Sequence, residues 1–350
     1  MPIKLCRFVT PNIFDQFGNL TLGEKEISKF ISDYGLLPKK GRDTFINKVV
    51  QDLMTNNYST QNYSNLMRNY FNNNLFLSST ILGVYLDPDK VHTGIVDSTD
   101  KITRLNNSIN NIIGGEEPIK SEDRFGLSEI TFIPPVDIVD CYVLGNNYRH
   151  PDREKYPSSG YAKNPVFIAK SRYAIIGSRN PILIPNLERN NMIVPECELA
   201  VYVNGPISGP LPKDKVKQLI KERKIGLTIG NDITAVLGDR TPLDIGRVKS
   251  YPTFAPTGPY LELEFNLDRV PEREFSLMVS DRKVTGKASN FAFDIAQTIS
   301  YFVESFGRID GPTLICMGTT PENYNSLAIK SGDVIRCTVE GLGEQVNPVR

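Results

Sequence analysis

The sequence has no net charge to speak of: 40 lysines and arginines balance 40 aspartates and glutamates over 350 residues. With basic residues scattered among acids rather than gathered on one stripe, a general affinity for nucleic acid is excluded. No apolar run is long enough to span a bilayer, and the first residues lack the apolar core of a signal peptide. Those two absences point to the cytoplasm and to no membrane partner. There is no CxxC pair either. Cys6, Cys141, Cys197, Cys316 and Cys337 are odd in number and far apart, so they read as small buried apolar residues of a reducing compartment. A disulfide frame and a zinc site are thereby set aside. Histidine is scarce, at two residues, and no internal repeat or glycine-rich phosphate loop occurs.

What is present is the composition of an ordinary globular protein, 40% hydrophobic and 23% charged, long enough for two domains. A short apolar stretch, Ile3 to Val9, is followed by helical spacing of Ile27, Phe30, Ile31 and Tyr34, and then of Phe45, Ile46, Val49, Val50 and Leu53 behind Asp43. The asparagine-rich stretch from Asn56 to Asn74 carries Arg68 as its single basic residue and reads as a polar helix or loop. Thr80 to Leu86 and Val91 to Val96 suggest a hairpin around Asp87-Pro88-Asp89. Gly114-Gly115 and the polar residues to Asp123 read as a linker. The expected division is a smaller mixed N-terminal domain, residues 1–125, and a second domain, 126–350.

From Ile130 onward short β-branched runs alternate with Pro and Gly, as in Ile138–Leu144, Val166–Ala169, Ile182–Ile184, Ile225–Ile229, Tyr260–Phe265 and Val334–Val339. Only two helices stand out, Lys213 to Lys224 and Asn290 to Phe306, the second with Ser289 as N-cap and Gly307 after its end. The class is α+β, rich in strand.

One strand carries the chemistry. In Val194-Pro195-Glu196-Cys197-Glu198-Leu199 the two glutamates are two residues apart and share a face, while Cys197, Leu199, Val201 and Val203 line the other. Two such carboxylates repel, and a hard divalent cation relieves them. Asp232 ends the buried-type strand Ile225–Ile229 and is placed to complete an oxygen-rich half-shell. A surface strand with solvated glutamates is the alternative reading of the pair alone.

With these residues in place the sequence resembles the fumarylacetoacetate hydrolase superfamily, in which a Glu-x-Glu strand is followed by Asn-Asp. The likeness extends through Ile133-Pro134-Pro135, Val143-Leu144-Gly145-Asn146-Asn147-Tyr148, and Asn164-Pro165-Val166-Phe167-Ile168-Ala169-Lys170. It continues through Lys249-Ser250-Tyr251-Pro252-Thr253-Phe254, Met317-Gly318-Thr319-Thr320-Pro321, Ser331-Gly332-Asp333-Val334 and Glu340-Gly341-Leu342-Gly343. It covers about residue 130 to the end. The resemblance implies a β-rich roll or sandwich, a homodimer, and one Mg²⁺, or Mn²⁺ or Ca²⁺, held by Glu196, Glu198 and Asp232. It implies a small 2-oxo or 1,3-dioxo acid as substrate, with Lys249, Thr319 and Thr320 on its oxygens and Tyr148 and Lys170 nearby. His150 with Glu154 stands where family hydrolases keep a water-activating pair, shifted by one position, in a polar segment that reads as a lid.

The sequence departs from the family after Asp232, where Val236 and Asp239 replace the usual Arg and Gln and Arg240 lies next door as a substitute. The leading expectation is metal-dependent C–C hydrolysis or decarboxylation through an enolate. A 2-keto-3-deoxy sugar acid dehydratase is the alternative enzyme, and a lapsed homologue retained as a binding module is the non-enzymatic one.

Overall fold

The computed structural model describes residues 3–9, 92–96, 101–152, 154–157, 160, 162–185, 192–237, 244–322 and 327–350. The helices expected behind Ile27 and Asp43, the asparagine-rich stretch and the first half of the 80–96 hairpin lie outside them. Strands β1 to β5 are Ile3–Val9, His92–Val96, Ile102–Leu105, Lys120–Phe125 and Thr131–Ile133. Strands β6 to β10 follow at Asp140–Gly145, Val166–Lys170, Ile175–Gly177, Met192–Val194 and Cys197–Asn204. Then come β11 to β15 at Ile207–Ser208, Ile225–Asn231, Thr234–Val236, Ala255–Thr257 and Leu261–Leu263. Finally β16 to β21 are Glu274–Val279, Arg282–Lys287, Arg308–Ile309, Pro312–Cys316, Val334–Val339 and Gly343–Pro348. Four α-helices lie among them: α1 Ile109–Ile113, α2 Lys213–Lys221, α3 Ile245–Val248 and α4 Ile295–Phe306.

The fold is mixed and sheet-rich. Its main sheet has thirteen strands, running β4-β3-β2-β1-β15-β12-β10-β19-β6-β7, with β5 on β1 and with β14 joining β12 to β8. A separate four-stranded sheet runs β17-β16-β20-β21. The alternation read from the sequence is what joins them: Cys197, Leu199, Val201 and Val203 of β10 are fully buried in the same apolar cluster as Leu277 and Val279 of β16 and Cys337 and Val339 of β20. Cys197 donates its thiol toward the Thr338 carbonyl. All five cysteines are free and buried, as expected of small apolar residues, and burial pushes the Cys141 thiol up to about 12.

Several expectations are corrected. The linker expected at 114–123 is instead the C-cap of α1 followed by β4, which pairs with β3. Strands β1 to β4, which precede residue 126, hydrogen-bond into the same sheet as the later strands. Helix α2 stops at Glu222 because Arg223 takes a positive φ of 59°. Helix α4 begins five residues later than expected. The backbone N–H groups of Ala292 and Phe293 are held by the carbonyl and side chain of Asn147, so Asp294 rather than Ser289 caps it, in a capping box with Gln297. Ile182 makes a single bridge to Val349 instead of a strand. Among the described residues no helix is long and apolar enough to cross a membrane.

Candidate active site

The Glu-x-Glu segment is not one continuous strand. Pro195 has no N–H for a ladder and separates β9 from β10, leaving Glu196 in the break. Pairing of β10 with β12 then decides the geometry. Cys197 faces Asn231 and Glu198 faces Gly230, and one step beyond, the Asp232 N–H donates to the Glu196 carbonyl at 2.9 Å. The Asn231 side chain accepts the Glu196 N–H at 3.0 Å. Three carboxylates are thus delivered to the same end of two adjoining strands. Glu196, Glu198 and Asp232 offer oxygens all within 4.8 Å of one another. At 6%, 1% and 2% exposure they are buried, which rules out the solvated-surface reading.

Buried carboxylates need partners. Lys170, at the end of β7, donates to one oxygen of Asp232 and, at 3.1 Å, to the Ile233 carbonyl. Lys249, just after α3, donates to the other oxygen of Asp232, to Glu196 Oε1 at 3.2 Å and to Thr234 Oγ1 at 2.8 Å. Thr234 in turn donates to Glu196 Oε1 at 2.8 Å. Glu198 accepts the Gly318 N–H. That N–H is aimed by a left-handed turn: Gly318 has φ +97°, and a Cβ there would press on Asn147 at 3.3 Å.

The charges do not balance, since two ammoniums meet three carboxylates. Burial raises the Glu198 carboxyl well above the usual range, and the charges of Asp232 and Glu196 push it the same way. Asp232 is moved oppositely: burial works to raise it, but Lys170 and Lys249 together outweigh burial and hold it low. An all-oxygen donor set with an excess of buried negative charge fits a hard divalent cation of the Mg²⁺, Mn²⁺ or Ca²⁺ kind.

A cavity of about 350 Å³ opens onto this cluster. Glu196, Asp232 and Lys249 lie in its wall with Thr319, Thr320 and the ring of Tyr148. Thr320 Oγ1 is buried without a hydrogen-bond partner, an orphaned donor at a polar site. Tyr148 uses its hydroxyl to accept from the Lys287 N–H and from Asn290 Nδ2, at 3.2 and 3.0 Å.

His150 has a different partner from the one expected. Its Nε2 stands 3.3 Å from Glu322 Oε1 and its Nδ1 accepts the Asp152 N–H at 3.0 Å, while Glu154 is exposed. The ring packs on Tyr156, a cavity-wall residue, with centroids 4.4 Å apart. Arg240 and Asp239 lie outside the described residues; Val236 is in β13. Sequence reasoning missed Thr234, Asn147 and Glu322. Thr234 had a signal, being two residues beyond Asp232. Asn147 binds the carbonyls of Met317 and Phe293, at 2.7 and 3.2 Å, so it ties the Gly318 turn to the segment before α4.

The family model described as the fumarylacetoacetate (FAA) hydrolase C-terminal domain matches residues 140–350. A fumarylacetoacetate hydrolase domain-containing protein 2 homolog of Dictyostelium discoideum is 25% identical, over 73% of this chain and 83% of that protein. The mitochondrial oxaloacetate tautomerase FAHD2A of Bos taurus is 24% identical, over 63% of this chain and 70% of that one. The crystal structure of a 5-carboxymethyl-2-hydroxymuconate delta-isomerase from Mycobacterium smegmatis superposes with a TM-score of 0.59 at 25% identity, covering 75% of this chain and 96% of that one.

Proposed function

The chain belongs to the fumarylacetoacetate hydrolase family of enzymes, and from that premise we propose that it interconverts the keto and enol forms of a small 2-oxo acid. The observation that carries this reading is one buried cluster of three carboxylates and two lysines, of which Glu196, Asp232 and Lys249 line a cavity together with the unpartnered Thr320 hydroxyl. Glu196, Glu198 and Asp232 would hold a divalent cation, which supplies Lewis-acid polarisation of the substrate's oxygens when bound. Lys249 lines the cavity with its three N–H groups on Asp232, Glu196 and Thr234, so it would contribute positive charge beside the oxygen on which enolate charge develops. Thr320 would supply the hydrogen-bond donor there. Lys170 and Thr234 position the set: one holds Asp232, and the other fixes Glu196 and Lys249 relative to each other.

Keto–enol interconversion consumes no water: the C3 proton would pass to cavity water and be returned from it, so the step does not call on the expected pair of His150 and Glu154, which is not assembled here. Both His150 nitrogens face partners, the Asp152 N–H and Glu322. C–C hydrolysis or decarboxylation is the second reading, favoured by the His150–Glu322 pair beside Tyr156. The reading is tested by proton NMR of C3-hydrogen exchange in D₂O for pyruvate, 2-oxobutanoate and oxaloacetate. Exchange accelerated by the protein with Mg²⁺ or Mn²⁺, and abolished by chelator, is expected. No acceleration with any of the three acids and either metal would overturn it.

A further inference from the structure

Each lysine of the centre is followed outward, on its own element, by an isoleucine in the cavity wall. Ile168 precedes Lys170 by two residues on β7, so the two share a face about 6.7 Å apart. Ile245 precedes Lys249 by four residues over α3, one helical turn or about 6 Å. Val143 of β6 lies directly opposite Ile168 in the antiparallel ladder, and the Ile168 Cδ1 stands over Gly145, where a Cβ would approach it to 3.3 Å. Val143, Ile168 and Ile245 therefore form an apolar layer one repeat out from the lysines. Among the described residues the only cation in the wall of this cavity is Lys249, in the inner layer.

We propose that this layer selects a 2-oxo monoacid with an uncharged alkyl tail, and that Ile168 and Ile245 are its specificity-determining residues. The inference rests on the 2-oxo acid reading given above. An offset of 6 to 7 Å along these elements is roughly five bonds of extended chain, so a six-carbon acid held at the level of the lysines would bring its far end level with the isoleucines. A methyl end is desolvated favourably there. A second carboxylate would lie against the apolar side chains with no cation among the described residues beside it, at a cost of at least about tenfold in affinity. Each methylene that enters the layer adds up to about fourfold.

The test is calorimetry on the full chain loaded with Mn²⁺, using oxalate, the series 2-oxobutanoate, 2-oxopentanoate and 2-oxohexanoate, and 2-oxoadipate. Oxalate should bind, affinity should rise along the alkyl series, and 2-oxohexanoate should bind at least about tenfold more tightly than 2-oxoadipate. Ile245 is 37% exposed, so Ile245→Lys is accommodated at the surface and should shrink that ratio at least about tenfold. If oxalate binds but 2-oxoadipate binds as tightly as 2-oxohexanoate, the tail assignment is wrong and the metal-site reading stands. Failure of oxalate to bind overturns both. An unchanged ratio in Ile245→Lys removes Ile245 from the specificity layer.

Discussion

Glu198→Gln gives the sharpest measure of the carboxylate cluster. The amide keeps an oxygen for the Gly318 N–H and nearly the volume of the acid, but it removes the group whose carboxyl is raised by burial and then by Asp232 and Glu196. A carboxyl with a folded pKa above its unfolded one weakens the fold as it ionises. That penalty is absent below about pH 4.3, where both states are protonated, and grows with pH up to the folded value. In chelator, Glu198→Gln should therefore melt above the wild type at pH 8, with the gap closing as pH falls toward 4. Metal reverses the order. At a Mg²⁺ concentration about 100 times Kd the wild type gains about 2.7 kcal/mol. With unfolding entropy of about 2.1 cal/mol/K per residue, that is roughly 4 °C for a chain of this length. If losing one carboxylate weakens binding about a hundredfold, the same Mg²⁺ gives the variant about 0.4 kcal/mol, under roughly 1 °C. Differential scanning fluorimetry with and without Mg²⁺, across pH 4 to 8, reads both effects. An equal Mg²⁺ shift in the two proteins would refute the assignment of Glu198 to the cation, and a lower apo melting point for the variant at pH 8 would refute the charge argument.

Thr234→Val strips one hydrogen bond each from Glu196 and Lys249, and should cost about 1–3 kcal/mol of stability in urea titrations, with Thr234→Ser restoring most of it. Valine-like stability in the serine variant would deny the hydroxyl its role. His150→Asn should change the rate of C3 exchange by less than about tenfold. A loss of a hundredfold or more, the usual scale for a general base, would move the hydrolytic reading ahead. A homodimer remains our proposal for the assembly, and light scattering at micromolar concentration that returns the 39.2 kDa of one chain would dispose of it.

What the sequence disclosed of the site was the part governed by local periodicity. Glu196 and Glu198 are two residues apart, Asp232 stands at a strand end, and antiparallel pairing of β10 with β12 turned those local facts into one cluster. Lys249 was found through resemblance alone, since nothing in a lysine four residues after Ile245 announces that its ammonium will face Asp232. His150 shows the limit from the other direction. Glu154 is the partner implied by the family's His-then-Glu pattern, but Tyr156 and Asp152 contact the ring in a loop where the imidazole meets Glu322 from the turn following Gly318. The start of α4 was missed for a related reason: Ser289 is a competent cap, but Asn147 had already claimed the backbone N–H groups that follow it.

These cases share a physical cause. Asn147 holds the segment before α4 through Ala292 and Phe293, and the turn before Gly318 through the Met317 carbonyl. A single amide thus couples the helix boundary to the backbone N–H that supports Glu198. Its neighbours on the same loop, Tyr148 and Tyr156, supply cavity wall. The position of one carboxylate of the buried cluster is consequently set by contacts among three segments distant in sequence. This is why the clustered carboxylates were readable from the chain while the shape of the cavity around them was not. The inner layer is built from residues whose alternation on strands is fixed locally. The rim is built from loops whose conformation depends on which distant amides and carbonyls find each other.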